Sequence, residues 1–435
     1  MRRASIQVEL VTPCFLGGAD NKEVAEWRAA SIRGQLRWWF RAVAGGELGD
    51  DPRKVKAAEE QVFGSTELRS ALRIRTTSLS PPLKVVDDRL GAHRPMREED
   101  LARAWGLTPK DESWQATLRR LTVRNSKGDP VPSDPFSYLG FGCVDHKGNL
   151  ARPMIPAHQK ASFEIVWNER AWMKVAPEPR AIFTKAVWAW LNLGGIGAKS
   201  RNGFGSLRCA AADDPARDLL GDEPHPSPAS VDAFRQALSS LHSFGTAAGT
   251  RSPATWSHFT SASRILVGAR ASDCWEDALS LAGAWLIAFR RRYGADYDDR
   301  EYGGRSVTGR DYAWGLHHRT RQDNPPRHFP DRAGFGLPLP FGKVAETVLW
   351  ELDDRRGTPR DSRRASPLLL HVAHFGRHFY PVWTYIPASL LPENGKLAFK
   401  NRSKPRGKPT DEERSIVSWF LDDLKAKGLV QEAGP

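Results

Sequence analysis

The sequence predicts an α+β fold: a ferredoxin-like βαββαβ unit carrying insertions, followed by a second region of similar make-up. Three observations point there. An alternating apolar segment opens the chain, two helical patterns follow at wide spacing, and each helix leads into strand-like sequence. Residues 5–11 set Ile6, Val8 and Leu10 against polar partners, which is the period of a strand. Thr12-Pro13 ends it, and Gly17-Gly18-Ala19-Asp20-Asn21 is turn-rich. Ser31 is placed to cap a helix over residues 32–43, and Gly45-Gly46 is a stop signal. Residues 72–78 and 162–167 read as further strands. Between them, 81–135 is polar and irregular with one helical stretch at 114–121, and reads as an insertion over the domain surface. A second helix covers 180–193, a glycine-rich segment follows, and 204–209 reads as a strand.

That unit occupies residues 1–212. Residues 213–230 hold Pro215, Pro224, Pro226 and Pro228 with few large apolar side chains, a composition that suits an inter-domain linker. In 231–435, residues 265–268, 368–372 and 380–386 read as strands, and 275–293 and 415–424 as helices. These elements fit a degraded second copy of the same fold, although no repeat is legible residue by residue.

A chain of 435 residues matches two domains, and its 16 Trp and 19 Phe supply apolar surface for their cores. The formal charge of +13 favours a polyanionic partner: RNA, DNA or an anionic membrane surface. Charge does not separate these. Cys14, Cys143, Cys209 and Cys274 are too scattered for a zinc knuckle or a CxxC redox pair, and fit a reducing compartment. Met1 to Ser5 runs straight into the first strand, so no signal peptide is read. The longest apolar stretch, 278–289, is too short to span a bilayer. The expectation is a cytoplasmic protein without a membrane partner.

Two segments offer a polyanion site. In Ser31-Ile32-Arg33-Gly34-Gln35-Leu36-Arg37-Trp38-Trp39-Phe40-Arg41, helical spacing puts Leu36, Trp39, Phe40 and Val43 on one apolar face. Arg33, Arg37 and Arg41 form a stripe away from it, with Trp38 alongside. Cations hold phosphates and an indole stacks on a base, so this pattern suits a single-stranded nucleic acid. It equally fits an indole packed under another element, with arginines solvated or paired to acids. The second segment is Gly194-Gly195-Ile196-Gly197-Ala198-Lys199-Ser200-Arg201-Asn202-Gly203-Phe204-Gly205. Glycines permit close backbone approach, and Gly195, Gly197, Lys199, Ser200, Arg201 and Asn202 together could cradle phosphates. A Walker loop would need glycine where Leu193 and Ala198 stand. A dinucleotide fingerprint would follow a strand and open a helix, whereas this segment does the reverse. A plain helix-to-strand connector stays open as an alternative.

Other candidates are weaker. His371, His374 and His378 lie in strand-like sequence without zinc-site spacing, so no metal or cofactor is expected. Asp20 could orient a ribose hydroxyl or act as a base, but an Asp in such a loop is more commonly a turn former. Residues 300–332 and 396–408 are basic runs that could order on a polyanion or remain solvated loops.

Taken together, the GGAD loop, SIRGQLRWWFRA and GGIGAKSRNGFGSL resemble the RAMP superfamily of CRISPR proteins. The first helix resembles the first of the RAMP subunits of the type III-B (Cmr) effector complex. The segments Gly334-Phe335-Gly336-Leu337-Pro338-Leu339-Pro340-Phe341 and Arg363-Arg364-Ala365-Ser366-Pro367-Leu368-Leu369-Leu370 agree, so the likeness touches both halves of the chain. It implies two ferredoxin-like domains and a non-catalytic RNA-binding role. The partners it implies are crRNA near its 3′ region, target RNA, and neighbouring RAMP subunits. A sister backbone subunit cleaves target RNA with an Asp in the loop after the first strand, and Asp20 lies in the equivalent stretch. Two rival readings stand beside this one. The first is a metal-independent RNA endonuclease using Asp20 or a histidine. The second is a cap that touches only protein.

Overall fold

Strand β1 (Arg2–Leu10) turns Ala4, Ile6, Val8 and Leu10 into the core, as its alternation predicts. The computed structural model describes residues 1–18, 20, 23–76, 83–84, 95–124, 127–145, 148–220, 227–240, 254, 256–293, 334–336, 348–349, 365–389, 398–399 and 416–434. The basic runs at 300–332 and 396–408 lie outside the described residues, apart from a two-residue strand at 398–399. Helices α1 (Ala29–Leu48) and α2 (Pro52–Phe63) follow, then strand β2 (Leu72–Thr76). Three short helices come next: α3 (Glu98–Ala104), α4 (Trp114–Leu121) and α5 (Pro135–Leu139). The first half closes with β3 (Lys160–Trp167), α6 (Glu169–Lys174), α7 (Pro177–Leu193) and β4 (Leu207–Ala212). Its four strands form one antiparallel sheet in the order β2-β3-β1-β4.

The second half holds α8 (Asp214–Leu220), α9 (Val231–Ser240), β5 (Arg264–Gly268) and α10 (Trp275–Tyr293). It continues with β6 (Leu368–Phe375), β7 (His378–Tyr385), α11 (Ile416–Ala426) and β8 (Val430–Gly434). These strands make a second antiparallel sheet in the order β6-β7-β5-β8. The two orders correspond element for element: in each, the first strand of the half lies between its third and fourth. The sequence shows no residue-level repeat because each half fills this frame with different side chains.

Several expected boundaries move, among them the start of α1, where Arg28 and not Ser31 holds the N-cap position. Helix α1 runs through Gly45-Gly46 instead of stopping there. A Cβ on Gly45 would sit 2.5 Å from the buried His258, so glycine serves close packing at this point. The chain then leaves the helix at Gly49, whose φ is +80°. The presumed linker opens as helix α8, with Ala216, Leu219 and Leu220 buried. Asp213 nucleates it by accepting the Ala216 N–H at 2.8 Å, and Pro215 sits in its first turn. The described helices of the insertion are no surface excursion. Leu101, Ala102, Trp105, Trp114 and Leu121 join the core formed by α10, the outer face of the second sheet and α11.

Both cores therefore cross from one half to the other. Ile265, Val267, Leu369, Ala373 and Val382 share a core with β1, α1 and α7. Leu266, Leu370, Val372 and Trp383, on the opposite face of the same strands, share one with α10 and the insertion. The second sheet is thus buried on both faces. The first sheet is not: its face away from α1 and α7 carries Arg3, Arg73, Arg75 and Lys160, all exposed.

If the insertion holds the halves together, Trp105→Ala destabilises the chain substantially. Trp105 is fully buried 6.1 Å from the Phe289 ring, and the Trp285 indole N–H donates to the Ala104 carbonyl at 2.8 Å. Urea unfolding should show a loss of about 3–5 kcal/mol. A loss under about 1 kcal/mol would return the insertion to the surface.

Candidate nucleic-acid interface

The glycine segment after α7 is a joint between three pieces of chain. The Ile196 N–H donates to the Gly205 carbonyl at 2.9 Å, and the Ala198 N–H to the Phe15 carbonyl at 2.8 Å. The Gly205 N–H donates to the Pro13 carbonyl at 2.8 Å. These amides are spent inside the protein and do not face outward to a phosphate. A Cβ at Gly195 would lie 2.9 Å from the Gly205 oxygen, and one at Gly197 (φ +89°) 2.7 Å from the Phe15 oxygen. The glycines are there so that backbones can touch.

A hydroxyl network ties the segment to both sheets. The Thr12 Oγ1 donates to the Gly203 carbonyl at 2.7 Å and accepts the Ser206 N–H at 2.9 Å. The Ser206 Oγ donates to the same Gly203 oxygen at 2.9 Å and accepts the Val372 N–H from β6 at 3.0 Å. The Leu370 N–H donates to the Arg201 carbonyl at 2.9 Å. Asn202 sends its Nδ2 to the Leu139 carbonyl at 2.7 Å, and Arg201 sends Nη1 to the Ser366 carbonyl at 2.6 Å. His371 completes the weld: its ring Nδ1 lies 2.6 Å from the Gly194 oxygen, which only accepts, so that nitrogen carries the proton. Burial lowers the His371 pKa to about 4, against the opposing pull of that hydrogen bond.

Lys199 stands apart. It takes the left-handed conformation (φ 63°) at the start of a turn closed by the Asn202 N–H to the Lys199 carbonyl at 2.8 Å. No acidic partner lies within ion-pair distance of it among the described residues. Ser200 is half-buried within this turn.

The arginine stripe of α1 faces α2. Arg37 Nε lies 2.6 Å and Arg41 Nη1 2.9 Å from the same Oε1 of the buried Glu59. Arg33 donates Nη2 to the Phe63 carbonyl at the C-terminus of α2, where a cation also meets the negative end of the helix dipole. Trp38 packs edge-on against Trp39 at 4.9 Å, and the Arg201 guanidinium covers its ring at 4.7 Å. The structure therefore gathers Trp38 with Arg201, and Arg37 with Arg41, but binds all four into local contacts. Asp20 is exposed, and its carboxylate accepts the Glu23 N–H at 3.2 Å, which is an Asx turn.

Sequence reasoning missed several residues. Thr12, Ser206 and His371 act only through tertiary partners, so no local pattern announces them. Arg73, Arg75 and Lys160 were legible: the alternation Leu72-Arg73-Ile74-Arg75 puts both arginines on one strand face. By register Arg3, Val166 and Arg73 form one row across the sheet, and Ser5, Glu164 and Arg75 the next. Arg3 pairs with Glu164 at 3.2 Å, while Arg73, Arg75 and Lys160 have no acidic partner among the described residues. At the end of this face Glu9 is held by Arg208 at 2.6 Å and His158 at 3.2 Å. Burial works to raise the Glu9 pKa, but the Arg208 and His158 hydrogen bonds outweigh it and hold it below the ordinary value.

Comparison with known proteins bears on this geometry. Residues 7–208 match the family model of the RAMP superfamily, a span that takes in β1, α1, α7 and the whole glycine joint. Residues 7–208 are thus similar to the RAMP superfamily. The chain is similar to the CRISPR system Cmr subunit Cmr1-1 of Pyrococcus furiosus, 28% identical over 234 residues, covering 53% of this chain and 54% of that protein. The match thus spans about half the length of that relative. Cmr1-2 of the same organism is 28% identical over 210 residues, covering 48% of this chain and 95% of that one. The crystal structure of Cmr1 from Pyrococcus furiosus in its apo form superposes with a TM-score of 0.54 at 19% identity, covering 100% of this chain and 99% of that chain. That likeness is one of fold, and it takes in both sheets.

Two outcomes follow from the joint. Gly197→Ala should cost about 2 kcal/mol or more in urea unfolding, because left-handed strain adds to a clash with Phe15. Gly428→Ala, at φ +65° with nothing within 4 Å of the new Cβ, should lose only about 1–2 kcal/mol of strain. Equal losses would mean that Gly197 is not held by packing. Acidification is the second test. His371 is neutral in the fold and protonates more readily when unfolded, so its share of stability is intact above pH 6.5. That share is lost as pH falls towards about 4, to a total of about 3 kcal/mol. His371→Gln should unfold with a flatter pH dependence across this window, and a parallel dependence would show that the imidazole does not titrate there.

Proposed function

We propose that this chain is a non-catalytic RNA-binding subunit of a type III-B CRISPR effector complex. In this reading it holds the crRNA 3′ region, the target RNA, or both, beside other RAMP subunits. The observation that carries it is a set of cations with no acidic partner among the described residues: Arg73, Arg75 and Lys160, on the sheet face that no described helix covers, with Lys199 on the rigid joint. The names of the relatives point to CRISPR assemblies, and the overall charge of +13 agrees with a polyanion. The architecture we read as two ferredoxin-like domains, about 1–212 and 231–435, from the matching strand orders.

The non-catalytic part rests on the state of the candidate groups. The Asp20 carboxylate caps its own turn, and His371 is buried against Gly194.

Filter binding of the full chain to single-stranded RNA across a salt series tests the reading. The slope of log affinity against log salt should shrink by about 0.7 for each phosphate contact removed. Lys199→Ala should therefore flatten it by about 0.7, and the triple change Arg73→Ala, Arg75→Ala, Lys160→Ala by about 2. Unchanged slopes would remove these cations from the interface. Incubation with RNA in EDTA should leave the strand intact, and cleavage lost in Asp20→Ala would overturn the non-catalytic assignment.

A further inference from the structure

Phe141 is the one phenylalanine or tryptophan among the described residues that stands mostly in solvent, at 69% exposure. It does so on a rigid pedestal. Helix α5 ends in Gly140, whose N–H donates to the Phe136 carbonyl at 2.7 Å and whose carbonyl accepts Cys143 at 2.7 Å and Val144 at 3.0 Å. Leu139, Cys143 and Val144 on either side are each 2% exposed and anchor the turn in the second core. Gly142 reverses the chain at φ +86° with open space around it. The ring is thus presented without the entropic cost of ordering a loop.

Cations flank it. The Ala151 N–H donates to the Cys143 carbonyl at 2.8 Å, which brings the exposed Arg152 alongside. Asn202, three residues from Lys199, reaches the Leu139 carbonyl from the other side. Both charges are felt at Cys143: burial raises its thiol pKa, and Lys199 and Arg152 pull the other way. Neither Arg152 nor Lys199 has an acidic partner among the described residues. A surface made for a protein partner would be a contiguous apolar patch. Here a lone ring stands on a turn with two cations near its base that have no acidic partner among the described residues, and its apolar neighbours are buried, a pattern suited to a base and its flanking phosphates.

We propose that Phe141 is a stacking platform for one unpaired RNA base, with Arg152 and Lys199 holding the phosphates beside it. The proposal rests on the RNA-binding reading above and assigns the base-stacking role to Phe141. The sequence offers Trp38 for that role, and Arg201 covers the Trp38 ring.

The test uses the full chain and single-stranded RNA carrying 2-aminopurine at successive positions. Phe141→Ala should weaken binding about tenfold, the weight of one base on an aromatic ring, with the salt slope unchanged because no charge is lost. One 2-aminopurine position should be quenched by the unmodified chain and released by Phe141→Ala. Phe141→Trp should restore both affinity and quenching. Arg152→Ala should instead flatten the salt slope. Since Phe141 is exposed, thermal melting of Phe141→Ala should match the parent, which separates stacking from folding. Affinity within twofold and identical 2-aminopurine signals would overturn the stacking role while leaving RNA binding standing. Failure of the unmodified chain to bind RNA in any salt would sink the RNA reading itself, and the stacking role with it. If Phe141→Ala leaves RNA affinity intact but abolishes capture of a neighbouring subunit, the ring docks on protein and the proposal is wrong.

Discussion

The structure depends on how closely three backbones approach at the glycine joint. Residues 13–15, 194–206 and 370–372 meet there, and the Gly197 and Gly195 positions allow it because neither carries a Cβ. Once the strands are this close, their polar groups lie where bulk water does not compete. Thr12, Ser206 and His371 are nearly or fully buried, and each finds a partner within the joint. Leaving any of these groups unsatisfied in such a place would cost about 1–3 kcal/mol, so the contacts reinforce one another. The second sheet inherits its position from this joint, and the two cores close around it.

This changes the meaning of the loop for function. A flexible cradle would wrap a ligand with free amides. A welded joint keeps its amides for itself and instead fixes what projects from it. Lys199 has no acidic partner among the described residues, while Arg201, Asn202 and the glycines hold the joint. The arginine stripe on α1 behaves similarly: Arg37 and Arg41 converge on Glu59 and lock α1 to α2. The cations without an acidic partner among the described residues lie elsewhere, on the outer face of the first sheet and near the Phe141 turn.

Much of the fold was legible in the sequence, because strand alternation and helix periodicity are local. The segment Ile6-Val8-Leu10 placed β1, and 275–293 matched α10 at both ends. Errors arose where a residue answers to a distant partner. Gly45-Gly46 reads as a helix stop, but Gly45 accommodates His258 from another part of the chain. Residues 213–230 read as a linker on their prolines, yet Asp213 and Pro215 are helix-start signals used in that sense. The polar insertion hid Trp105 and Leu101 among charged neighbours, and only their burial against α10 shows their role. At the candidate site, periodicity located Arg37, Arg41 and Trp38 but was silent on Glu59 and Arg201, which engage them. Phe141 carried no signal in sequence, since exposure is a tertiary property.

The glycine loop is a structural joint before it is a ligand loop. Hydrogen–deuterium exchange of the full chain without RNA addresses it most directly. The amides of Ile196, Ala198 and Gly205 should be among the slowest in the protein, and added RNA should leave them unchanged while protecting the turn around Lys199. Fast exchange of those three amides, slowed only when RNA is present, would contradict the account and restore the loop as a flexible phosphate cradle.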